Sequence, residues 1–450
     1  MGDKLLSVGL DVGTTTSQMI VSELTVENRA SSFAIPELGI TGRNVIYRGD
    51  VIFTPLLAEN RVDAEALAHW VGEEYRRAGI QRQMVDTGAV IITGETSRRE
   101  NARDVMQALS ELAGDFVVAT AGPDLESVLS ARGAGAVAYS EQAGRQVLHM
   151  DIGGGTSNLS LIRDGEILRT GCLNVGGRLL KVKDGRITYL SPVLDGITSL
   201  KPGQRAAPEE LKKLAELLAQ VLEMAAGLRE PTELLTRFST REAESPWTPP
   251  EDGCVFSFSG GVAECIRTQH PADAFGDIGP LLGNAIRSSR LCRGEFLLGQ
   301  ETIRATVIGA GCHSAQLSGS TVFCQNVKLP LKNLPVLPVA AAEMGTLGSK
   351  LRMQDVRPVL ALQGLADPSY TQVAQLADQL LEQMGDGPVY LCLEQDMAKA
   401  LGQALALRSG RDSAILCLDR VRLHAGSFLD VGAPIGPALP VVVKTLVLEG

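Results

Sequence analysis

The sequence predicts an α/β protein. Strand-like and helix-like stretches alternate through the first three hundred residues. A strand that ends in aspartate and runs into a glycine turn is written twice, 140 residues apart, at Asp11 and Asp151. Near residue 328 the texture changes, and a second, shorter alternation begins.

Taken in order, "LLSVGLDV", "SQMIVSEL" and "VIFTPLL" read as strands. "DAEALAHWVGEEYRRAGI" carries Leu67, Trp70, Val71 and Tyr75 at helical spacing and closes on Gly79, which predicts a helix. "GAVIITGE" reads as a buried strand entering a glycine turn, "ARDVMQALSELAG" as a helix and "DFVVATAG" as a strand. "GPDLESVLSARGAGAVAYS" is a helix that breaks at two glycines. After the second Asp-Gly unit, "GEILRTGCLNVGGRLL" predicts strands joined by glycine turns, and 186–205 reads as irregular and polar. "APEELKKLAELLAQVLEMAAGL" opens on Pro208 and two glutamates and keeps its leucines on one stripe, the pattern of an amphipathic helix. The stretch 229–253 is charged, proline-bearing and aperiodic, and reads as an exposed excursion. "CVFSFSGGVAECI" predicts strand, double-glycine turn and helix, and "TIRATVIGAGCHSAQLSG" a turn into a helix. "VKLPLKNLPVLPVA", with three prolines, reads as linker or sheet edge. Beyond it lies the smaller α/β alternation.

At 450 residues the chain has room for two or three cores. Its formal charge of -10 and its 4 % aromatic content argue against a general nucleic-acid surface, which needs clustered Lys and Arg and rings for base stacking. The eight cysteines are scattered with no C-x-x-C pair, so they read as reduced thiols rather than a zinc or iron–sulfur framework. Five histidines in unlike contexts give no imidazole ligand set, and each reads as a packing or surface residue. No apolar run reaches membrane-spanning length, and the first residues fit neither a signal peptide nor, with Leu6 where a hydroxyl is wanted, a myristoylation site. A cytoplasmic protein is expected.

The two turns invite a chemical reading. A glycine turn after a strand exposes consecutive backbone N–H groups and, lacking Cβ atoms, lets the backbone approach an anion closely. Hydroxyls just beyond, at Thr16 and Thr156, add donors. An aspartate at such a place repels phosphate unless a hydrated Mg²⁺ lies between them, a hard cation that prefers carboxylate oxygen. Two facing turns would clasp the β- and γ-phosphates, with Asp11 and Asp151 flanking the metal. One copy alone reads as a structural turn; two with the same spacing do not. The Rossmann alternative has only "GAGAVA" at 133–138, which follows a helix, and no Walker A sequence is present.

At this point the residues resemble a known superfamily. The turns look like the phosphate 1 and phosphate 2 motifs of the actin, Hsp70 and sugar-kinase ATPase fold. "GPDLESVLSARGAGAVAYS" resembles connect 1, "VFSFSGGVAECI" the adenosine motif and "TIRATVIGAGCHSAQLSG" connect 2, in the expected order. The resemblance implies an actin-like ATPase fold: two similar lobes around a nucleotide cleft, with a smaller C-terminal α/β domain added here. The divisions expected are 1–145, 146–327 and 328–450. Within the superfamily, "ITGE", "DIGGGTSNLSL", "CLNVGGRLL", "FSGGVAEC" and "DIGPLLG" are similar to the EutA family of ethanolamine ammonia-lyase reactivating factors, and "VKLPLKNLPV" and "EQDMAKALGQAL" extend the likeness into the last third.

That resemblance implies an ATP-dependent chaperone for an adenosylcobalamin enzyme. It would loosen inactivated ethanolamine ammonia-lyase so that damaged cobalamin leaves and intact adenosylcobalamin enters. ATP and Mg²⁺ are the implied cofactors, with no tightly bound cobalamin on this chain. Residue by residue, it implies Asp11 and Asp151 on the hydrated Mg²⁺, with Asp151 also orienting the attacking water. Gly13, Thr14, Thr15 and Thr16 would wrap the phosphates from one lobe, and Gly153, Gly154, Gly155 and Thr156 from the other. Glu126 falls where connect 1 of the Hsp70 branch places a water-orienting carboxylate, and equally reads as a solvated first-turn carboxylate. Gly260 and Gly261 would pass under the nucleoside, with Glu264 at the ribose. Gly309 and Gly311 read as hinge and packing positions. No lysine matches the one that assists phosphoryl transfer in Hsp70-type ATPases; Arg98, Arg99 and Arg103 read as a solvated helix face.

Other activities share this fold. A small-molecule kinase would use Asp151 toward a substrate hydroxyl, but sugar-kinase signatures are missing. An actin-like assembly ATPase is a further alternative, and the scattered cysteines disfavour an iron–sulfur dehydratase activator. The sequence leaves open a homodimer and association with an ethanolamine-utilisation microcompartment.

Overall fold

The computed structural model describes residues 3–13, 16–28, 38–58, 61–93, 105, 109, 117–121, 123–240, 247–251, 253–299, 301–313, 315–317, 322–352, 356–385, 387–419, 421, 427–432, 434 and 439–445. The expected helix at 102–114 lies outside them except for Val105 and Leu109, which are buried in the first lobe's core.

The first lobe is built on strands β1 (Asp3–Val12), β2 (Thr16–Asn28), β3 (Leu38–Arg48), β4 (Ile52–Phe53), β5 (Leu56–Ala58), β6 (Arg61–Val62), β7 (Thr87–Thr93) and β8 (Val117–Ala121). Its main sheet runs β3-β2-β1-β7-β8, with β1 antiparallel to β2 and parallel to β7. The stretch "VIFTPLL", expected as one strand, is split into β4 and β5 around Pro55, which has no N–H for a ladder. Helix α1 (Ala64–Ala78) starts on an Asp63 cap that accepts the Ala66 N–H and ends on left-handed Gly79.

The second lobe repeats the plan with β9 (Val147–Ile152), β10 (Ser157–Arg163), β11 (Glu166–Leu173), β12 (Leu180–Lys183), β13 (Arg186–Leu190), β14 (Val255–Ser259) and β15 (Phe296–Leu298). Its sheet order, β11-β10-β9-β14-β15, has the connectivity and strand directions of the first. Here α2 (Pro123–Gly133), α3 (Ala136–Ala143), α4 (Pro208–Ala225), α5 (Glu233–Phe238), α6 (Gly261–Arg267) and α7 (Gly279–Ser288) supply the layers, while α8 (Ala305–His313) packs on β1, β2 and β7 of the first lobe.

Strand periodicity decides which way each aspartate faces. On β1, Val8, Leu10 and Val12 pack toward α1, so Ser7, Gly9 and Asp11 share the opposite face, against α8. On β9, Leu148, Met150 and Ile152 join the large outer core with α4, leaving His149 and Asp151 on the side of α2. The two sheets therefore turn their aspartate-bearing faces toward the helix pair α2 and α8. Those helices cross backbone to backbone: a Cβ on Gly133 would collide with the Ala305 carbonyl, and one on Gly309 with the Leu129 carbonyl.

Two stretches expected to be irregular are structured. Residues 186–205 contain β13 and bury Ile187, Leu194 and Leu200. The charged stretch from 229 contains α5, anchored by buried Leu235 and Phe238, and Trp247 lies against Gly171 with its Nε1–H on the Ala225 carbonyl at 2.9 Å. Polar spacing hid both, because a few large side chains rather than a periodic stripe hold them down.

The third sheet uses β16 (Ala315–Leu317), β17 (Phe323–Gln325), β18 (Leu331–Pro338), β19 (Val359–Leu362), β20 (Val389–Leu393), β21 (Ile415–Asp419), β22 (Ser427–Val431) and β23 (Pro440–Thr445), in the order β16-β23-β22-β18-β19-β20-β21-β17. Helices α9 (Leu347–Arg352), α10 (Tyr370–Met384) and α11 (Ala398–Ser409) are its crossovers. The proline-bearing segment is thus neither linker nor edge: β18 lies between β22 and β19. Its register with β22 shifts between Leu331 and Leu334, and its prolines lie beyond the shift, Pro335 opposite Phe428 and Pro338 opposite Ala361. Among the described residues no helix is long and apolar enough to cross a membrane.

Candidate functional site

Both Asp-Gly turns close in the same way. The Gly13 N–H donates to the Thr16 carbonyl at 3.0 Å, and the Gly153 N–H to the Thr156 carbonyl at 2.9 Å. Thr14 and Thr15 lie outside the described residues. A Cβ on Gly155 would meet nothing within 4 Å, so that glycine keeps a clear approach to its backbone. Gly154 is covered on one side by the Arg178 side chain, and its carbonyl accepts the Arg178 N–H.

Each aspartate is held by a hydroxyl from the neighbouring parallel strand. Thr93, ending β7, donates to Asp11 Oδ1 at 3.0 Å; Ser259, ending β14, donates to Asp151 Oδ1. Asp11 also accepts from Gln18 Nε2 at 3.4 Å. Burial pushes the Asp11 carboxyl up to about 6 against these hydrogen bonds, and the charge of Asp151 adds to the rise. Asp151 is likewise pushed up to about 6 by burial, opposed by Ser259 and Thr306. Two carboxyls raised by burial, with the charge of one felt at the other and each held by a hydroxyl donor, favour a cation between them.

Behind Asp151 runs a buried relay. His149 bridges Ser259 Oγ and Ser257 Oγ at 3.0 Å each, following the register in which β14 places those serines opposite Asp151 and His149. Burial pushes the imidazole down to about 3, so it is neutral and carries one N–H. Since Ser259 gives its proton to Asp151, it accepts from His149 Nε2, which makes Nδ1 the acceptor of the Ser257 hydroxyl. The ring reads as packing in sequence; here it orients a partner of Asp151.

Glu126, in the first turn of α2, accepts from Asn158 Nδ2 at 2.9 Å, and Asn158 is the register partner of Asp151 on β10. Glu126 is therefore joined to the aspartate's strand position through one amide. Gly260 links β14 to α6 at φ 87°, its N–H on the Thr302 carbonyl at 2.9 Å, and a Cβ there would strike the Ile152 carbonyl. Gly261 is exposed with open space around it. Glu264 accepts from Thr302 Oγ1 at 2.7 Å and pairs with Arg267 at 3.4 Å. Gly309 and Gly311 make close contacts with Leu129 and Gly9 respectively. Arg98, Arg99 and Arg103 lie outside the described residues.

The lobes meet directly beside the turns. Gln18 Nε2 donates to the Ile303 carbonyl at 3.1 Å, Arg48 pairs with Glu301 at 2.6 Å, and Arg304 donates to the Gly49 carbonyl at 3.0 Å. Thr93, Ser259, Gln18 and Thr54, whose hydroxyl donates to the Gly13 carbonyl at 2.7 Å, are given no role by the sequence motifs. A signal for two of them is in the sequence: "IITG" and "SFSG" both end a strand in hydroxyl–glycine, the same words in each lobe.

The residues present fit a magnesium nucleotide. Asp11 and Asp151 would hold the hydrated ion, and the turns at 13–16 and 153–156 would offer N–H groups to phosphates. Two sheets of one topology, each presenting an Asp-led glycine turn toward the other, define the actin-like ATPase fold. The chain belongs to the EutA family: the model of "Ethanolamine utilisation protein EutA" matches residues 3–449. The ethanolamine ammonia-lyase reactivase EutA of Salmonella typhimurium is 39 % identical over 466 residues, covering 98 % of each chain. That of Escherichia coli is 38 % identical over 483 residues, with the same coverage. Among solved structures, the Aquifex aeolicus PPX-GPPA enzyme is similar at TM-score 0.42 and 12 % identity, over 68 % of this chain and 99 % of its own. The ethanolamine utilization protein EutJ from Carboxydothermus hydrogenoformans is similar at TM-score 0.34 and 17 % identity, over 68 % of this chain and 89 % of its own.

Proposed function

We propose that the protein is the ATP-dependent reactivating chaperone of an adenosylcobalamin-dependent ethanolamine ammonia-lyase, releasing damaged cobalamin so that intact adenosylcobalamin can bind. The observation that supports this most is the likeness to two reactivases at 38–39 % identity over nearly the whole chain. The paired turns support the ATP requirement. Bound Mg²⁺ would supply charge neutralisation between the phosphates and the two carboxyls. The chain's own residues do the rest. Thr93 and Ser259 fix the carboxyls of Asp11 and Asp151. Gly153, Gly154, Gly155 and Thr156 would bind the phosphates from one lobe, and Gly13, Thr14, Thr15 and Thr16 are assigned to them from the other. Asp151, backed by Ser259 and His149, orients water at the terminal phosphate, with Glu126 reaching the same strand position through Asn158. Gly260, Gly261 and Glu264 receive the nucleoside.

Closure of the lobes around nucleotide is a two-state change, and a lyase surface that fits one state better is strained or released as the preference shifts. The reaction is assigned to the cytoplasm, with association to an ethanolamine-utilisation microcompartment left open. The test uses ethanolamine ammonia-lyase blocked with cyanocobalamin. With this protein, free adenosylcobalamin, Mg²⁺ and ATP, acetaldehyde production should resume; without ATP it should not. Asp11→Ala and Asp151→Ala should abolish recovery. ATP hydrolysis without any recovery would refute the reactivase reading and leave the ATPase one.

A further inference from the structure

Arg178 stands between the two turns, where no motif placed a cation. It follows Gly177 in the loop after β11, and its Cβ, Cγ and Cδ lie 3.3–3.5 Å from where a Cβ on Gly154 would be. Its guanidinium sits 5.6 Å over the ring of Phe53, a residue of the opposite lobe. The next residue there, Thr54, donates to the Gly13 carbonyl. One side chain thus touches the second turn and the strand that braces the first.

Asp277 holds that side chain by one edge only. Its Oδ2 accepts from Arg178 Nε at 3.2 Å, while Oδ1 accepts the Gly279 N–H at 2.8 Å. The Asp277 side chain is 8 % exposed, so it keeps its cation rather than face a low-dielectric site alone. Among the described residues neither terminal nitrogen of Arg178 has a hydrogen-bond partner. A guanidinium anchored through Nε, with both terminal nitrogens open, matches the two-pronged recognition of phosphate oxygens. Phe53 meanwhile is 74 % exposed, so its ring is free to leave the guanidinium without opening a core.

We propose that Arg178 contacts the terminal phosphate of a bound nucleoside triphosphate through those two nitrogens. The contact with Phe53 is given up when the phosphate arrives, so the junction between the lobes senses whether that phosphate is present. This rests on the nucleotide reading above and assigns the residue that tells triphosphate from diphosphate.

Two measurements on the full chain test it. Calorimetric titration with ADP and with the β,γ-imido analogue of ATP, both with Mg²⁺, is compared for the parent, Arg178→Met and Arg178→Lys. Methionine keeps the stem over Gly154 and removes the charge. The expected result is at least a tenfold loss of affinity for the analogue with ADP changed less than threefold, and an intermediate loss for lysine. Phe53→Trp, at an exposed site with Arg178 intact, provides a readout that does not depend on those variants folding: its fluorescence should shift with the analogue and not with ADP. A parent that binds both nucleotides while Arg178→Met keeps the same preference, or a Phe53→Trp signal identical for the two, overturns the assignment. A parent that binds neither nucleotide overturns the nucleotide reading, and this assignment with it.

Discussion

Replacing Asp11 with asparagine should stabilise the nucleotide-free protein at pH 8 and cost it magnesium nucleotide. The carboxyl is enclosed at the end of β1, and burial lifts it from 3.8 to about 6. A folded-state value above the ordinary one means that ionisation opposes folding. The favourable contribution is complete below pH about 4 and is lost as pH rises through about 6. The shift is roughly two units, and at about 1.4 kcal/mol per unit the charged carboxylate costs about 3 kcal/mol at pH 8. At pH 5 about half of that remains, because the unfolded chain is already ionised while the folded one is still protonated. Asparagine carries no charge, and its side-chain oxygen can still accept the Thr93 hydroxyl. Thermal unfolding of parent and Asp11→Asn from pH 4 to 8, without nucleotide, should show a gap that opens with pH and reaches roughly 5–10 °C. With Mg²⁺ and ADP the order should reverse, since the ion restores the balance only where two carboxylates receive it. A variant that is less stable by the same amount at every pH would refute the reasoning, because it would make the hydrogen bond rather than buried charge the dominant property of the site.

Gly155→Ala adds a methyl group where nothing stands within 4 Å. It should change stability by less than about 1 kcal/mol while lowering nucleotide affinity at least tenfold, as read by chemical denaturation and calorimetry. Gly260→Ala faces the opposite situation, a left-handed φ of 87° and the Ile152 carbonyl in the way. It should destabilise by several kcal/mol, visible as a fall in thermal midpoint before any nucleotide is added. Glu264→Gln should narrow the preference for ATP over 2′-deoxy-ATP in competition titrations; an unchanged ratio would remove Glu264 from the ribose. His149→Ala leaves the buried Ser257 hydroxyl without its acceptor and takes one donor from Ser259, and should cost about 1–3 kcal/mol in urea denaturation.

Local chemistry made much of the fold legible. The α1 stripe and its Gly79 stop, the Pro208 start of α4 and the break of α2 from α3 at two glycines all follow from neighbours in sequence. The duplicated turns were legible because glycine, aspartate and hydroxyl must be contiguous to form them. What the sequence concealed depends on distant partners. Prolines argued against an interior β18 because its two neighbours, β22 and β19, come from later in the chain. Trp247 and Phe238 looked exposed because their cover comes from Gly171 and the outer core of the second lobe. In the site, Thr93 and Ser259 belong to neighbouring parallel strands and reach the aspartates only once the sheets form. Arg178 escaped notice because its partners, Phe53 and Asp277, stand 125 residues before it and 99 after it.

The crossing of α2 and α8 has a mechanical consequence. Helices usually mesh through rows of side chains, and those rows admit only a few crossing angles. At Gly133 and Gly309 there are no rows to mesh. At those two points the contact is a smooth bearing rather than a pair of gears, and a turn of one sheet against the other would meet no side-chain teeth there. Bulky residues there would do more than crowd the helices: they would give the joint a detent, and a machine meant to swing would click into one position and stay.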